Sequence, residues 1–118
     1  MMPPVYDLLS NDAAVAALVA DRIFRHGRAP QDVVKPYITW SVVGGHAENY
    51  LAERPGIDED LAQIDCWAAS ATECKALMIA VVAALELHGM QQGTPQDDFE
   101  NDTQLYRYMV QFDFWTHR

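Results

Sequence analysis

The side chains able to do chemistry are few and poorly grouped. The soft ligands and nucleophiles are two cysteines, Cys66 and Cys74, and four histidines, His26, His46, His88 and His117. No histidine stands at ligand spacing from another, and there is no Cys-x-x-Cys or His-x-x-x-His pair, so a zinc site is not expected. A nucleophilic cysteine wants an electropositive, partly exposed setting. Here the neighbours are Asp65 and Glu73, and both thiols read as small buried hydrophobes. Gly44-Gly45-His46 reads as a strand terminator rather than an active-site turn. The chain has no glycine-rich phosphate loop and no Gly-x-Ser-x-Gly elbow. Two acidic groups, Asp58-Glu59-Asp60 and Asp97-Asp98-Phe99-Glu100-Asn101-Asp102, invite a metal. The second lacks the glycine and terminal glutamate spacing of a calcium loop, and both read as solvated loops. No catalytic residue, cofactor or metal is expected.

Composition narrows the classes further. The 118 residues carry 8 Lys and Arg against 17 Asp and Glu, a net charge of −9. Gripping a phosphate backbone needs clustered cations, so nucleic-acid binding and docking on anionic lipid are both disfavoured. With 50% hydrophobic and 21% charged residues the chain is globular and of a length for one domain, residues 1–118. Two thiols without a regular disulfide spacing fit a reducing cytoplasm. The N-terminus has prolines where a signal peptide needs basic residues. The apolar run at 76–85 is about half the ~20 residues that span a bilayer. A soluble protein with no membrane partner is expected.

Two features run against the bulk figures. Arg22, Arg25, Arg28 and Lys35 gather half of the 8 basic residues into one segment. They read either as a solvated edge or as a contact strip for an acidic partner surface, including another copy of the chain. Trp67 and Trp115 fall on the faces of their strands opposite the core residues. They read either as core or as interface anchors.

The elements that must position these residues follow from periodicity. A short helical turn ends at Leu8-Leu9, and Ser10-Asn11-Asp12 caps a helix over 13–20. Arg22-Ile23-Phe24-Arg25 is short and β-prone. Tyr37-Ile38-Thr39-Trp40-Ser41-Val42-Val43 is a strand that ends at Gly44-Gly45. Residues 44–60 form a projecting loop or hairpin arm with its tip near Pro55-Gly56. Leu61-Ala62-Gln63-Ile64-Asp65-Cys66-Trp67-Ala68 alternates as a half-buried strand. Ser70-x-x-Glu73 is a capping box, and the helix it opens runs to Leu87 or His88 with Gly89 as its C′ residue. Cys74, Leu77, Met78, Val81 and Leu85 face the sheet. The opposite side carries Ala76, Ile79, Ala80 and Ala83 and wants cover, which another subunit would supply. Residues 90–103 read as irregular, and 104–117 as the longest strand. The sum is α+β: a single antiparallel or mixed sheet with helices packed on one face.

The order of segments is also familiar. Tyr6-Asp7-Leu8-Leu9 is followed by Val15-Ala16-Ala17-Leu18-Val19-Ala20-Asp21-Arg22-Ile23-Phe24 and Ala29-Pro30-Gln31. Lys35-Pro36-Tyr37-Ile38-Thr39-Trp40 and Ile64-Asp65-Cys66-Trp67-Ala68 come next, then the capped helix and Leu105-Tyr106-Arg107-Tyr108. This ordered set resembles the tail completion, or tail terminator, proteins of long-tailed phages, a group that includes tail-to-head joining proteins. The resemblance implies a structural virion protein without catalysis. Its partners would be copies of itself in a ring, commonly a hexamer, the tail tube protein and the head–tail connector or head-closure protein. It would sit at the neck of a phage or gene transfer agent particle, made in the bacterial cytoplasm. Candidate subunit contacts are then Arg22, Arg25, Arg28, Lys35, Ile79, Ala83, Trp67 and Trp115. Candidate residues facing a lumen are Asp58, Glu59, Asp60, Asp97, Asp98, Glu100 and Asp102, where carboxylates let DNA slide past without specific binding. Another neck or head-closure component is the alternative, with a small acidic ligand-binding domain behind it.

Overall fold

The structure is a computed structural model that describes residues 3–47 and 57–117. Helices α1 (Val5–Ser10) and α2 (Ala13–Val19) precede strands β1 (Ile23–Arg25), β2 (Tyr37–Ala47) and β3 (Ile57–Ala68). Helix α3 (Ala71–Leu85) and strands β4 (Met90–Gln91), β5 (Gln96–Glu100) and β6 (Leu105–His117) complete the chain. The strands form one mixed sheet in the order β1-β2-β3-β6-β4, with β5 also on β6. Only β1–β2 is parallel; the other pairs are antiparallel. The class expected from the sequence is the one the chain adopts.

Alternation decides which face is buried. Ala62, Ile64, Cys66 and Ala68 on β3 are fully buried, as are their β2 and β6 neighbours Ile38 and Phe112. They meet Val5, Leu9, Val15, Val19, Cys74, Leu77, Val81 and Leu85 from the three helices in a single core. The intervening residues Gln63, Asp65 and Trp67 are half-buried on the outer face.

The helix ends obey local chemistry. The Asp12 carboxylate accepts from the Ala14 and Val15 N–H groups at 3.0 and 3.1 Å and starts α2. The Ser70 hydroxyl accepts from the Glu73 N–H at 3.2 Å and starts α3. The expected stop of α3 needs correction. The helix ends at Leu85 with Glu86 as its cap, and the His88 and Gly89 N–H groups both return to the Leu85 carbonyl. Gly89 does not have a positive φ. It is required for close approach instead: a Cβ there would lie 2.7 Å from the Asp113 carbonyl oxygen and 2.9 Å from the Phe114 ring.

Two further boundaries differ from the sequence expectation. Residues 90–103 are not irregular: β4 and β5 pair with β6 along the edge that β3 leaves open. The strand signals in 37–43 and 61–68 also stop short. Beyond a bulge at Val43, β2 continues to Ala47, and β3 begins at Ile57, the two pairing out to Ala47↔Asp58. The tip expected near Pro55-Gly56 lies outside the described residues. Past Gly44 and Asp113 the sheet narrows to three strands, since β1 pairs only to Trp40 and β4 only to Asp113.

Candidate functional site

The chemistry-bearing groups are put to structural use. Cys66 and Cys74 are free and buried, with the Cys74 thiol donating to the Cys66 carbonyl at 3.1 Å. Burial pushes both thiols up, Cys74 to about 11, so neither offers a thiolate near neutral pH. Among the described residues no three His, Cys, Asp or Glu side chains converge as a metal site. No helix among them is long and apolar enough to cross a membrane.

The outer face of the sheet is crossed by one row of side chains from five strands. Phe24 on β1 meets Tyr37 on β2 edge-to-face at 6.3 Å, and Tyr37 stacks on Trp67 of β3 at 6.0 Å and 10°. The Arg107 guanidinium of β6 lies over the Trp67 ring at 5.4 Å and pairs with the Asp98 carboxylate of β5 at 3.8 Å. The register makes this inevitable, because Tyr37↔Trp67, Trp67↔Arg107 and Asp98↔Arg107 are direct cross-strand partners. The Trp67 indole N–H donates to the Thr39 hydroxyl at 3.0 Å. The segment at 27–35 borders this row, and an open groove of about 530 Å³ lies between it, Tyr37, Trp67 and Glu100. Burial raises the Asp65 carboxyl against the opposing pull of Gln63 and Arg107, and it raises Tyr37, with Glu100 adding to that shift.

The basic strip is divided by the fold. Arg22 is half-buried and faces inward in function: its Nε donates to the Pro36 carbonyl at 3.0 Å and an Nη to the Leu18 carbonyl at 3.1 Å. It ties α2 to the start of β2. Arg25 is exposed and lies over the Trp40 ring at 5.4 Å. Arg28 and Lys35 are exposed. Trp115 is 46% exposed and Ile79 is 55% exposed, and Ala83 is exposed beside Ile79. Trp67, in contrast, is already engaged on three sides.

The two acidic groups lie apart. Glu59 and Asp60 stand opposite Trp115 and Phe114, whereas Asp97, Asp98 and Glu100 stand opposite Tyr108, Arg107 and Leu105. That is about 20 Å or more along β6 at ~3.4 Å per residue. Asp60 sits on the core side of β3 with its Oδ2 buried and without a hydrogen-bond partner. Asp102 is exposed in the β5–β6 turn. Asp58 takes part through its backbone opposite Thr116.

The structure shows three surface features, of which the sequence pointed only to the apolar side of α3 with Ile79 and Ala83. One is a shallow apolar groove of about 300 Å³ between α3 and the β4–β5 connection, lined by Met78, Ile79, Val82, Ala83, Glu86, Gln91 and Pro95. The second is the exposure of Leu87 and Met90 just past the helix end, at 80% and 57%. The third is a hollow of about 320 Å³ beside β1, lined by Pro3, Pro4, Tyr6, Asp7, Arg25 and Trp40. The apolar outer side of α3 was the available signal for the first. Nothing in the sequence pattern marked the third.

The thiols are buried, and Ile79, Leu87, Met90 and Tyr6 leave apolar surface exposed at the two flanks. The family model of tail completion protein gp17 matches residues 3–117, and the chain belongs to that family. It is therefore a structural protein of a virion tail and not an enzyme. The sequence matches none of the curated proteins. Among solved structures, a chain from the virion of a native gene transfer agent particle has the same fold, with a TM-score of 0.63 and 18% identity. The alignment covers 97% of this chain and 92% of that one.

Proposed function

We propose that the protein terminates the tail: copies close into a ring, a hexamer, at the head-proximal end of the tail tube. The ring stops tube polymerisation and presents a surface to the head connector or head-closure protein. Membership of the tail completion family over residues 3–117 carries this reading. The narrow three-stranded extension beyond Gly44 and Asp113 supports it. In its outer rows Gly45–Ala47 and Phe114–Thr116 each pair with β3 and have no second strand neighbour, on the side away from β3, among the described residues. An arm with open backbone on both edges is suited to reach a neighbour or the tube.

The particle is a phage or a gene transfer agent, the latter favoured by the fold shared with a chain of such a particle. The net charge of −9 suits a ring around the path of DNA, since carboxylates repel the duplex and let it slide. Asp97, Glu100 and Asp102 are exposed and are the better lumen candidates. Asp98 is partly neutralised by Arg107, and Asp60 is turned to the core side.

Imaging of the particle neck tests the proposal. A ring between tube and connector is expected, with overlong or unjoined tails in particles made without the protein. The protein in the capsid shell, or heads that leak DNA beside normal tails, would overturn it.

A further inference from the structure

The sheet has two lateral flanks, and each carries an uncovered feature that the other fits. On the β4 side lies the apolar groove of α3, lined by Ile79, Ala83 and Glu86 among others. Leu87 and Met90 are exposed just past the end of the same helix. On the β1 side lies the Pro3–Trp40 hollow, from which Tyr6 stands 43% exposed beside Arg25. The sheet order β1-β2-β3-β6-β4 places the flanks at opposite edges, about 20 Å apart at ~4.8 Å per strand spacing.

We propose that the α3 groove of one copy receives the Tyr6–Arg25 flank of the next, in a head-to-tail contact. The inference rests on the ring reading and names the surfaces that close it. Two copies meeting groove to groove would set Glu86 against Glu86 in a chain already at −9. Meeting flank to groove instead sets the Arg25 guanidinium against the Glu86 carboxylate. It also seats an aromatic ring on aliphatic side chains, with the polar tip of Tyr6 left at the rim, a common form of interface anchor. The flank also carries Asp7, so its cation is balanced locally; the groove has a carboxylate and no cation in its lining, and Arg25 is the one basic group of either surface, which favours flank to groove over groove to groove. Because the two surfaces differ and lie on opposite sides, the contact repeats, and a rotation closes it into a ring. The partner of the basic strip is then α3 and not the acidic loops, and Arg25 is its active member.

Cysteine cross-linking in purified particles tests this, using Tyr6→Cys with Ala83→Cys in the full chain. The native thiols are buried and react little. Oxidation of the double variant is expected to give a ladder of covalent multimers on a non-reducing gel. A mixture of the two single variants should stop at dimers. A Tyr6→Cys, Gln63→Cys control, which pairs the flank with the outer sheet face, should give none. Dimers from either single variant alone would show a symmetric contact and overturn the proposal. So would absence of the ladder in particles whose necks still show the ring, which leaves the ring reading standing. Absence of both ladder and ring overturns the two together.

Discussion

Replacing Trp67 separates a fold-stabilising role from an assembly role. The residue is half-buried on the outer face, and its three partners can be weighed separately. The stack on Tyr37 contributes about 0.5–1.5 kcal/mol beyond area burial. The Arg107 contact adds about 0.5–1 kcal/mol at this exposure. The hydrogen bond to Thr39 adds about 1 kcal/mol. Trp67→Ala should therefore destabilise the isolated subunit by about 2–4 kcal/mol, at or just below the usual range for truncating a core aromatic. Trp67→Phe keeps the stack and most of the cation contact but leaves the Thr39 hydroxyl, 4% exposed, without its donor. It should cost about 1–2 kcal/mol. Urea unfolding followed by far-ultraviolet circular dichroism measures both, as it does not depend on the removed fluorophore. Equal losses for the two variants would refute the stacking share. A loss below about 0.5 kcal/mol for Trp67→Ala, with failed assembly, would make Trp67 an interface anchor after all.

Three other outcomes are expected. Arg22→Ala removes donors to two carbonyls and should cost about 2–3 kcal/mol in the same assay, while Arg25→Glu with Arg28→Glu should cost about 0.5–1 kcal/mol, the contact of Arg25 with the Trp40 ring. The reverse order would show that Arg22 is a surface cation. Gly89→Ala should cost about 1–3 kcal/mol by overpacking. A smaller residue at 114 should not restore the loss, because the nearer clash is with the Asp113 backbone carbonyl. Full rescue by Phe114→Leu would refute this. Burial holds the Asp65 carboxyl above its ordinary value, so the folded state retains its proton to higher pH than the unfolded chain. Asp65 therefore favours folding below the unfolded value, and that contribution is lost as pH rises through the folded one. Asp65→Asn should raise the urea midpoint at pH 7, and a lower midpoint would show that Arg107 and Gln63 outweigh burial.

The core was readable because its residues repeat. Leu77, Val81 and Leu85 on α3 and the alternation from Ala62 to Ala68 carry strong apolar periodicity, and each is buried where that periodicity puts it. Strand β5 was not readable for the complementary reason. Gln96-Asp97-Asp98-Phe99-Glu100 is exposed at every position and is a strand only because the β6 backbone beside it needs partners. Residues 44–47 and 57–60 are similar, as glycines and carboxylates carried into a ladder by stronger strands. Gly89 was singled out for the wrong reason. Its position after a helix suggests a left-handed cap, whereas a strand from the far end of the chain excludes the side chain. Among the candidate contacts, Arg22 and Trp67 have partners within the chain. Residue type marks an arginine or a tryptophan as available for a partner, but only the tertiary structure shows that the partner is already in the same chain.

That internal use of cations and aromatics bears on where assembly can occur. A sheet with helices on one face leaves the other open, and an open face with aromatics is the obvious docking surface. Here the outer row closes on itself. Phe24, Tyr37 and Trp67 cover one another, Arg107 satisfies both the indole ring and Asp98, and Thr39 is spent on the indole N–H. A partner arriving there would have to replace contacts already made, and its net gain would be small. The flanks lack such closure. Ile79, Leu87 and Met90 on one side and Tyr6 on the other keep a third or more of their area in water, so covering them returns the full hydrophobic term. Arg22, Arg25 and Arg107 are three of the 8 basic residues and all have intramolecular partners, in a chain whose net charge is −9. The contact proposed above would cover these flanks and set Arg25 against Glu86.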